Sequence, residues 1–380
     1  MKVLLAFDSF KNCLSGGEIC RIAAESIREN APECEIIPLP LGDGGEGTAR
    51  AVAELCGGTE QTFPVRGPLF EMTSARWYQL PGNRAVFEMA SASGIELIAR
   101  EQRDPLTATT FGTGELLKHV AGQGVREIVI GIGGSATVDG GIGMLQALGV
   151  EFYDENDRPL PVPAAAADIA RIARIGLDRI PECLRNCRII VASDVVNPLC
   201  GRSGAAAVFA PQKGADAAGV ELLEKNLFRF GTLAVEQGIA DNFSTPGDGA
   251  AGGLGFALRT FLKADVSSGA ELILELSEFD RKIRGADFVL TGEGCSDSQT
   301  ADGKLCGVIA AHCRRAGVPV ILLPGALGSD PDMLDGAFDA VFPLCHAPVS
   351  LDEAVACTPQ NLKRTIRSIV KLWMCKMEKR

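Results

Sequence analysis

Short unbroken apolar runs alternate with stretches of helical periodicity along most of the chain. Residues 3–7, 35–39, 127–130, 188–191, 287–290, 318–323 and 340–344 form such runs, the kind expected of strands buried on both faces of a parallel sheet. Between the first two, Ser15-Gly-Gly-Glu18 has the form of a capping box, opening a helix through Arg28 with Ile19, Ala23 and Ile27 on one face. Further helices are predicted over 49–55, from Gly112-Thr113-Gly114-Glu115 onward, over 256–262 and over 304–315. Ser350-Leu-Asp-Glu353 is a second capping box, Thr358-Pro359 is expected to restart the helix, and Leu362, Ile366, Ile369 and Leu372 form its core stripe. From about Arg66 to Glu88 the pattern turns to shorter alternating runs with Gly67-Pro68 and Pro81-Gly82 turns, which predicts antiparallel strands and a second domain.

Several predicted strands run directly into glycine-rich loops. The fullest is Gly131-Ile132-Gly133-Gly134-Ser135-Ala136-Thr137-Val138-Asp139-Gly140-Gly141, which reads as strand, glycine loop, helix. Glycines there let the backbone approach a ligand, and the first amides of the following helix are expected to face a phosphate. The other loops are Asp43-Gly44-Gly45-Glu46-Gly47, Gly249-Ala250-Ala251-Gly252-Gly253 and Thr291-Gly292-Glu293-Gly294. Asp8 and Ser9 follow the first strand, Asp194 and Asn197 follow the run at 188–191, and Lys213 lies in a turn after Pro211. Loops at the carboxyl ends of neighbouring parallel strands line one crevice, so Asp8, Lys11 and Asp43 are expected together. For each acid there is a purely local alternative in capping a turn or helix.

Length changes the picture first: 380 residues exceed one ordinary core and fit two domains. Hydrophobic residues at 46% and charged residues at 22% describe a soluble α/β-type chain. A net charge of −11 argues against nucleic acid or an anionic membrane as the main partner. Thirteen cysteines without a C-x-x-C pair point to reduced thiols in the cytoplasm, and no apolar run approaches a signal-peptide core or a membrane span. Three histidines outside any metal-ligand spacing leave little room for imidazole chemistry.

Acids Asp8, Asp43, Asp194 and Asp297 beside Lys11, Lys213 and Lys304, all near glycine loops, suit phosphoryl transfer. That chemistry needs amides and lysines for phosphate oxygens, carboxylates for magnesium, and a carboxylate for the acceptor hydroxyl. No G-x-x-x-x-G-K-[ST] segment or protein-kinase set is present.

Motifs over nearly the whole chain resemble the bacterial-type glycerate kinases. They are Asp8-Ser9-Phe10-Lys11, Asp43 to Thr48, Gly112 to Glu115, Gly131 to Gly141, Asp194 to Leu199, Pro211 to Gly214, Ala250 to Gly255, Thr291 to Gly294, and Asp297 to Lys304. The sequence departs from the pattern at Asn12-Cys13, at Gly42, and at Cys295-Ser296, where an arginine commonly follows the glycine. The resemblance implies ATP-dependent phosphorylation of D-glycerate to 2-phosphoglycerate or 3-phosphoglycerate, with Mg2+, in a monomer or homodimer. It also implies a flavodoxin-like parallel domain from residues 1–65 and 286–380, an inserted mixed-sheet α/β domain over 66–285, and an active site in the cleft between them. Carried onto this chain, Asp194, Lys11, Asp8 and Lys304 are the catalytic candidates. Ser9, Asp43, Gly44, Gly45, Glu46, Gly133, Gly134, Ser135, Asp139, Lys213, Gly252, Gly253, Thr291, Gly292, Glu293, Gly294 and Gln299 are the substrate and nucleotide candidates, and Asp194 and Asp297 the metal candidates.

Two other readings compete. Gly131-Ile-Gly133-Gly-Ser-Ala136 matches G-x-G-x-x-A, with Glu151 at the distance of a ribose contact, as in an NAD-dependent oxidoreductase. A non-catalytic phosphometabolite sensor would also use glycine loops and lysines, though it gains little from acids without a metal.

Overall fold

The computed structural model describes all residues except 11–12, 42–47, 302–303, 329 and 378–380, and the side chains of 299 and 376–377. The strands of the two main sheets are, in chain order, β1 (Lys2–Phe7), β2 (Glu35–Pro40), β3 (Thr59–Arg66), β4 (Met72–Leu80), β5 (Arg84–Glu88), β6 (Glu127–Gly131), β7 (Arg188–Ala192), β8 (Asp265–Ser267), β9 (Phe288–Gly292), β10 (Val320–Leu322) and β11 (Ala340–Val341). The chain divides into two compact units, residues 1–43 with 270–380, and residues 44–269. These limits differ from the expected 65/66 and 285/286. Residues 59–66 pair along their whole length with β4, which draws them into the middle unit.

In the unit made by the chain ends, the sheet order is β2-β1-β9-β10-β11 and every pairing is parallel. Renumbered within the sheet this is 2-1-3-4-5, the flavodoxin-like order. The central strand β1 is buried on both faces, with Val3, Leu4, Leu5, Ala6 and Phe7 all at 0% exposure, which is why its sequence is an unbroken apolar run. Pro38 and Pro40 lie on β2, an edge strand, where a missing N–H costs no central ladder bond.

Ser15 caps the helix Gly16–Asn30 as expected. Its Oγ accepts the Glu18 amide (3.3 Å), and Glu18 accepts the Ser15 amide (2.9 Å). Ile19, Ala23 and Ile27 of that helix share a core with Leu362 and Ile366 of the C-terminal helix Leu351–Met377. That helix runs through Pro359 rather than restarting there. Proline leaves the Val355 carbonyl without its intrahelical partner, and Cys13 Sγ donates to it instead (3.6 Å). Leu372, expected in the core stripe, is 72% exposed, while Leu362, Ile366 and Ile369 are buried.

The middle unit holds a mixed sheet ordered β8-β7-β6-β5-β4-β3. Strands β3, β4 and β5 run antiparallel, and β5 through β8 run parallel. Its core joins Phe87, Ile128, Ile130 and Val191 of the sheet to Leu116, Leu117 and Val120 of the helix Phe111–Gly122. A second part of that core centres on Phe230, whose ring lies 5.8 Å from Phe256 and 5.9 Å from Phe261. All thirteen cysteines are free thiols. Among the described residues no helix is long and apolar enough to cross a membrane.

Candidate functional site

Strands β1 and β9 are adjacent in the first unit, with Phe7 opposite Gly292 at their carboxyl ends. In this strand order the chain leaves in opposite directions there, so the two loops part and open a crevice. A cavity of about 610 Å³ lies there, and Asp8, Ser9, Glu293, Gly294 and Lys304 line it. Asp8 is 8% exposed; its amide donates to the Gly292 carbonyl (3.1 Å) and its Oδ1 accepts the Ser9 amide (2.6 Å). Glu293 Oε1 accepts from Ser296 Oγ (2.9 Å) and Thr300 Oγ1 (2.6 Å), which fixes its rotamer. Lys304 caps the helix Leu305–Ala316, and its Nζ stands 3.5 Å from Asp297 Oδ1.

Thr291 and Gly292 are buried within β9 and do not line the cavity. Thr291 Oγ1 donates to Cys306 Sγ (3.5 Å), and a Cβ on Gly292 would come within 2.3 Å of the Leu323 carbonyl. Gln299 lies in the short helix Ser298–Ala301. Lys11, Asp43, Gly44, Gly45 and Glu46 lie outside the described residues. Sequence reasoning missed the cavity's apolar lining, Val349, Leu351, Ala354 and Val355. The available signal was Leu351, Ala354 and Val355 at helical spacing in the first turns after the Ser350 capping box, just past the last strand of a parallel sheet.

In the middle unit the central glycine loop differs from the expected strand, loop and anion-facing helix. The next helix begins only at Ile142 and spans Ile142–Ala147. Its first amides are already engaged: Asp139 Oδ1 accepts from Gly141 (3.0 Å), Asp139 Oδ2 from Gly143 (3.3 Å), and Thr110 Oγ1 from Met144 (2.9 Å). Asp139 Oδ2 also accepts the Thr110 amide and hydroxyl, both at 2.8 Å. Asp139, expected at the nucleotide, is therefore fully buried and holds the loop's shape from within. Burial raises its pKa, and the donated hydrogen bonds oppose that rise. Only the loop's front, Gly133 and Gly134, is exposed, and Gly134 needs its left-handed φ of 71°.

Lys213 closes the back of this loop. Its Nζ donates to Ser135 Oγ (2.6 Å) and to the Thr137 carbonyl (2.8 Å) at 3% exposure. Desolvation pushes its pKa down to about 7, against a partial upward pull from the Asp139 charge. Gly252 and Gly253, expected at a ligand, pack against the same loop. A Cβ on Gly252 would sit 2.1 Å from the Thr137 carbonyl and one on Gly253 2.8 Å from Gly140 Cα, and Gly140 donates to the Gly252 carbonyl (3.0 Å). Close approach of two backbones accounts for both glycines. Asp194 is exposed at the end of β7, where its Oδ1 accepts from Ser268 Oγ (2.8 Å) and the Gly269 amide (3.0 Å).

Among the described residues no three His, Cys, Asp or Glu side chains are gathered tightly enough to hold a metal by themselves. Mg2+ is ordinarily held by one or two carboxylates together with substrate phosphates and water. Asp8 and Glu293, two carboxylates on one cavity, fit that demand.

Comparison with known proteins supplies the remaining constraint. A profile of the Glycerate kinase family matches residues 3–374. A glycerate kinase of Halalkalibacterium halodurans is 39% identical over 370 residues, 97% of each chain. A glycerate 2-kinase of Escherichia coli is 38% identical over 371 residues, again 97% of each. The crystal structure of a putative glycerate kinase 2 from Salmonella typhimurium superposes with a TM-score of 0.89 at 37% identity, covering 100% of this chain and 99% of that one. A family match over nearly the full length, with a shared fold and a strand-end cavity of the right chemistry, establishes that this chain belongs to the glycerate kinase family.

Proposed function

We propose that the protein transfers the γ-phosphoryl group of ATP to a hydroxyl of D-glycerate. The observation that carries this reading is the family match over residues 3–374. The cavity at the β1/β9 strand ends supports it, since Asp8, Glu293 and Lys304 supply carboxylates and a cation without histidine or thiol chemistry. Mg2+, held by Asp8 and Glu293, would neutralise phosphate charge there. Ser9 and Gly294 border the same groups, and Gly133 and Gly134 offer the exposed face of the central loop. In the middle unit Lys213 holds Ser135 and the Thr137 carbonyl and so sets the shape of that loop from behind. The oxidoreductase reading loses its main support, because the G-x-G-x-x-A stretch does not open a helix directly.

The similarity to a protein named glycerate 2-kinase supports 2-phosphoglycerate as the product. A coupled ADP-release assay with D-glycerate, followed by phosphorus NMR of the product, tests both statements. ADP release dependent on glycerate and a secondary-alcohol phosphate are expected. No glycerate-dependent release would remove the kinase reading, and a primary-alcohol phosphate would remove the regiochemical one.

A further inference from the structure

We propose that the cavity at the β1/β9 strand ends is a nucleoside subsite, holding the purine and ribose of the phosphoryl donor rather than the three-carbon acid. This rests on the kinase reading and adds which of the two substrates the first unit takes. Volume is the first argument. About 610 Å³ falls within the roughly 300–1,000 Å³ typical of sites for drug-sized ligands, far more than glycerate fills.

Lining chemistry is the second. Phe10, Val349, Leu351, Ala354 and Val355 supply an uncharged surface, most of it from the stretch after the last strand. Glycerate carries a carboxylate and two hydroxyls on three carbons and has no apolar face to set against such a wall. A purine has two, and burying them removes apolar area from water, which favours binding. The polar groups come from elsewhere: Asp8 and Ser9 follow β1, Glu293 follows β9, and Lys304 opens a helix. That division matches a ligand with a flat apolar end and a charged end. Topology is the third argument, because the crevice stands where a 2-1-3-4-5 sheet changes direction, the usual place for a mononucleotide.

Three thiols make the test direct, since Cys13, Cys295 and Cys345 also line the cavity while Cys375 is exposed outside it. The intact protein is treated with N-ethylmaleimide alone, with ADP, or with D-glycerate, and modification is followed peptide by peptide by mass spectrometry. ADP is expected to slow labelling of Cys295 and Cys345 several-fold with Cys375 unchanged, and glycerate to leave all three alone. Protection by glycerate and not by ADP, or ADP binding by calorimetry without protection, overturns the proposal.

Val349→Trp provides a second arm, because Val349 is 49% exposed in a loop and its enlargement intrudes on the cavity without entering a core. Its Kd for ADP should rise by roughly tenfold or more, the scale of misfit in an apolar pocket, with the Kd for glycerate unchanged. An unchanged Kd for ADP, or a raised one for glycerate, counts against the subsite. Binding is read without turnover, so the two readings fail separately. Thiols protected by ADP in a chain that makes no phosphoglycerate would defeat the kinase and leave the nucleoside site standing. Phosphoglycerate made while ADP leaves the thiols unprotected would do the reverse.

Discussion

Lys213 is an amine with two acceptors and almost no exposure, and burial pushes its pKa down to about 7. Between that value and the unfolded-chain value of about 10.4, the unfolded state binds more protons, so the lysine's contribution to stability rises with pH across that window and is flat below it. The stability of the wild type relative to Lys213→Met, measured by urea unfolding from pH 6 to 10, should therefore rise above pH 7; a constant difference would contradict the burial argument. Asp139 accepts four donated hydrogens, and Asp139→Asn would turn an amide group toward amides. A loss of roughly 1–3 kcal/mol is expected in the same unfolding experiment. Asp194 is the case where chemistry and capping compete. Loss of kcat by roughly 10² to 10⁴ in Asp194→Asn with an unchanged Tm would mark it as acting on the substrate. A lowered Tm with kcat retained would leave it the tie to Ser268 and Gly269 described above.

The helix Leu351–Met377 carries a proline eight residues beyond its start, and a thiol from the other end of the chain occupies the carbonyl it leaves open. Pro359→Ala restores the backbone donor and should raise stability by roughly 1–3 kcal/mol, within the cost of an interior proline; a fall in Tm would mean that the proline ring itself is needed for packing. That proline also marks a limit of sequence reading. Pro after Thr ordinarily ends a helix, and this one continues where Leu362 and Ile366 are packed in the core and Cys13 takes up the freed carbonyl. The buried strands were legible because a parallel sheet covered on both faces demands unbroken apolar runs, and Ser15 and Glu18 announced their helix by spacing alone. Gly252 and Gly253 show why a glycine run is ambiguous: a glycine that lets a ligand approach and one that lets another backbone approach look the same in sequence, and here the backbones of Thr137 and Gly140 lie within Cβ reach. Val349, Leu351, Ala354 and Val355 were passed over because they stand among Ser350, Asp352 and Glu353 in a loop end and the first helical turns, where polar capping residues mask the apolar face.

Each of the two units has its own core, one around β1, β9 and the helices beside them, the other around Phe87, Ile130 and Phe230. Gly252→Ala puts a methyl group into the Thr137 backbone at a φ of 68°, a strain the middle unit cannot relieve locally. Hydrogen exchange should rise throughout residues 44–269 and much less in 1–43 and 270–380; uniform loss of protection would show that the cores unfold as one. The discontinuity of the first unit also matters at the ribosome. Strand β1 emerges at once with β2, but its other neighbour β9 follows 281 residues after it, from Phe7 to Phe288. At roughly 5–20 residues per second that is about 14 to 56 s of translation. For that interval this fully buried strand lacks one flank, while the insert can complete itself, so the open edge of β1 is where a chaperone would be expected to hold the growing chain.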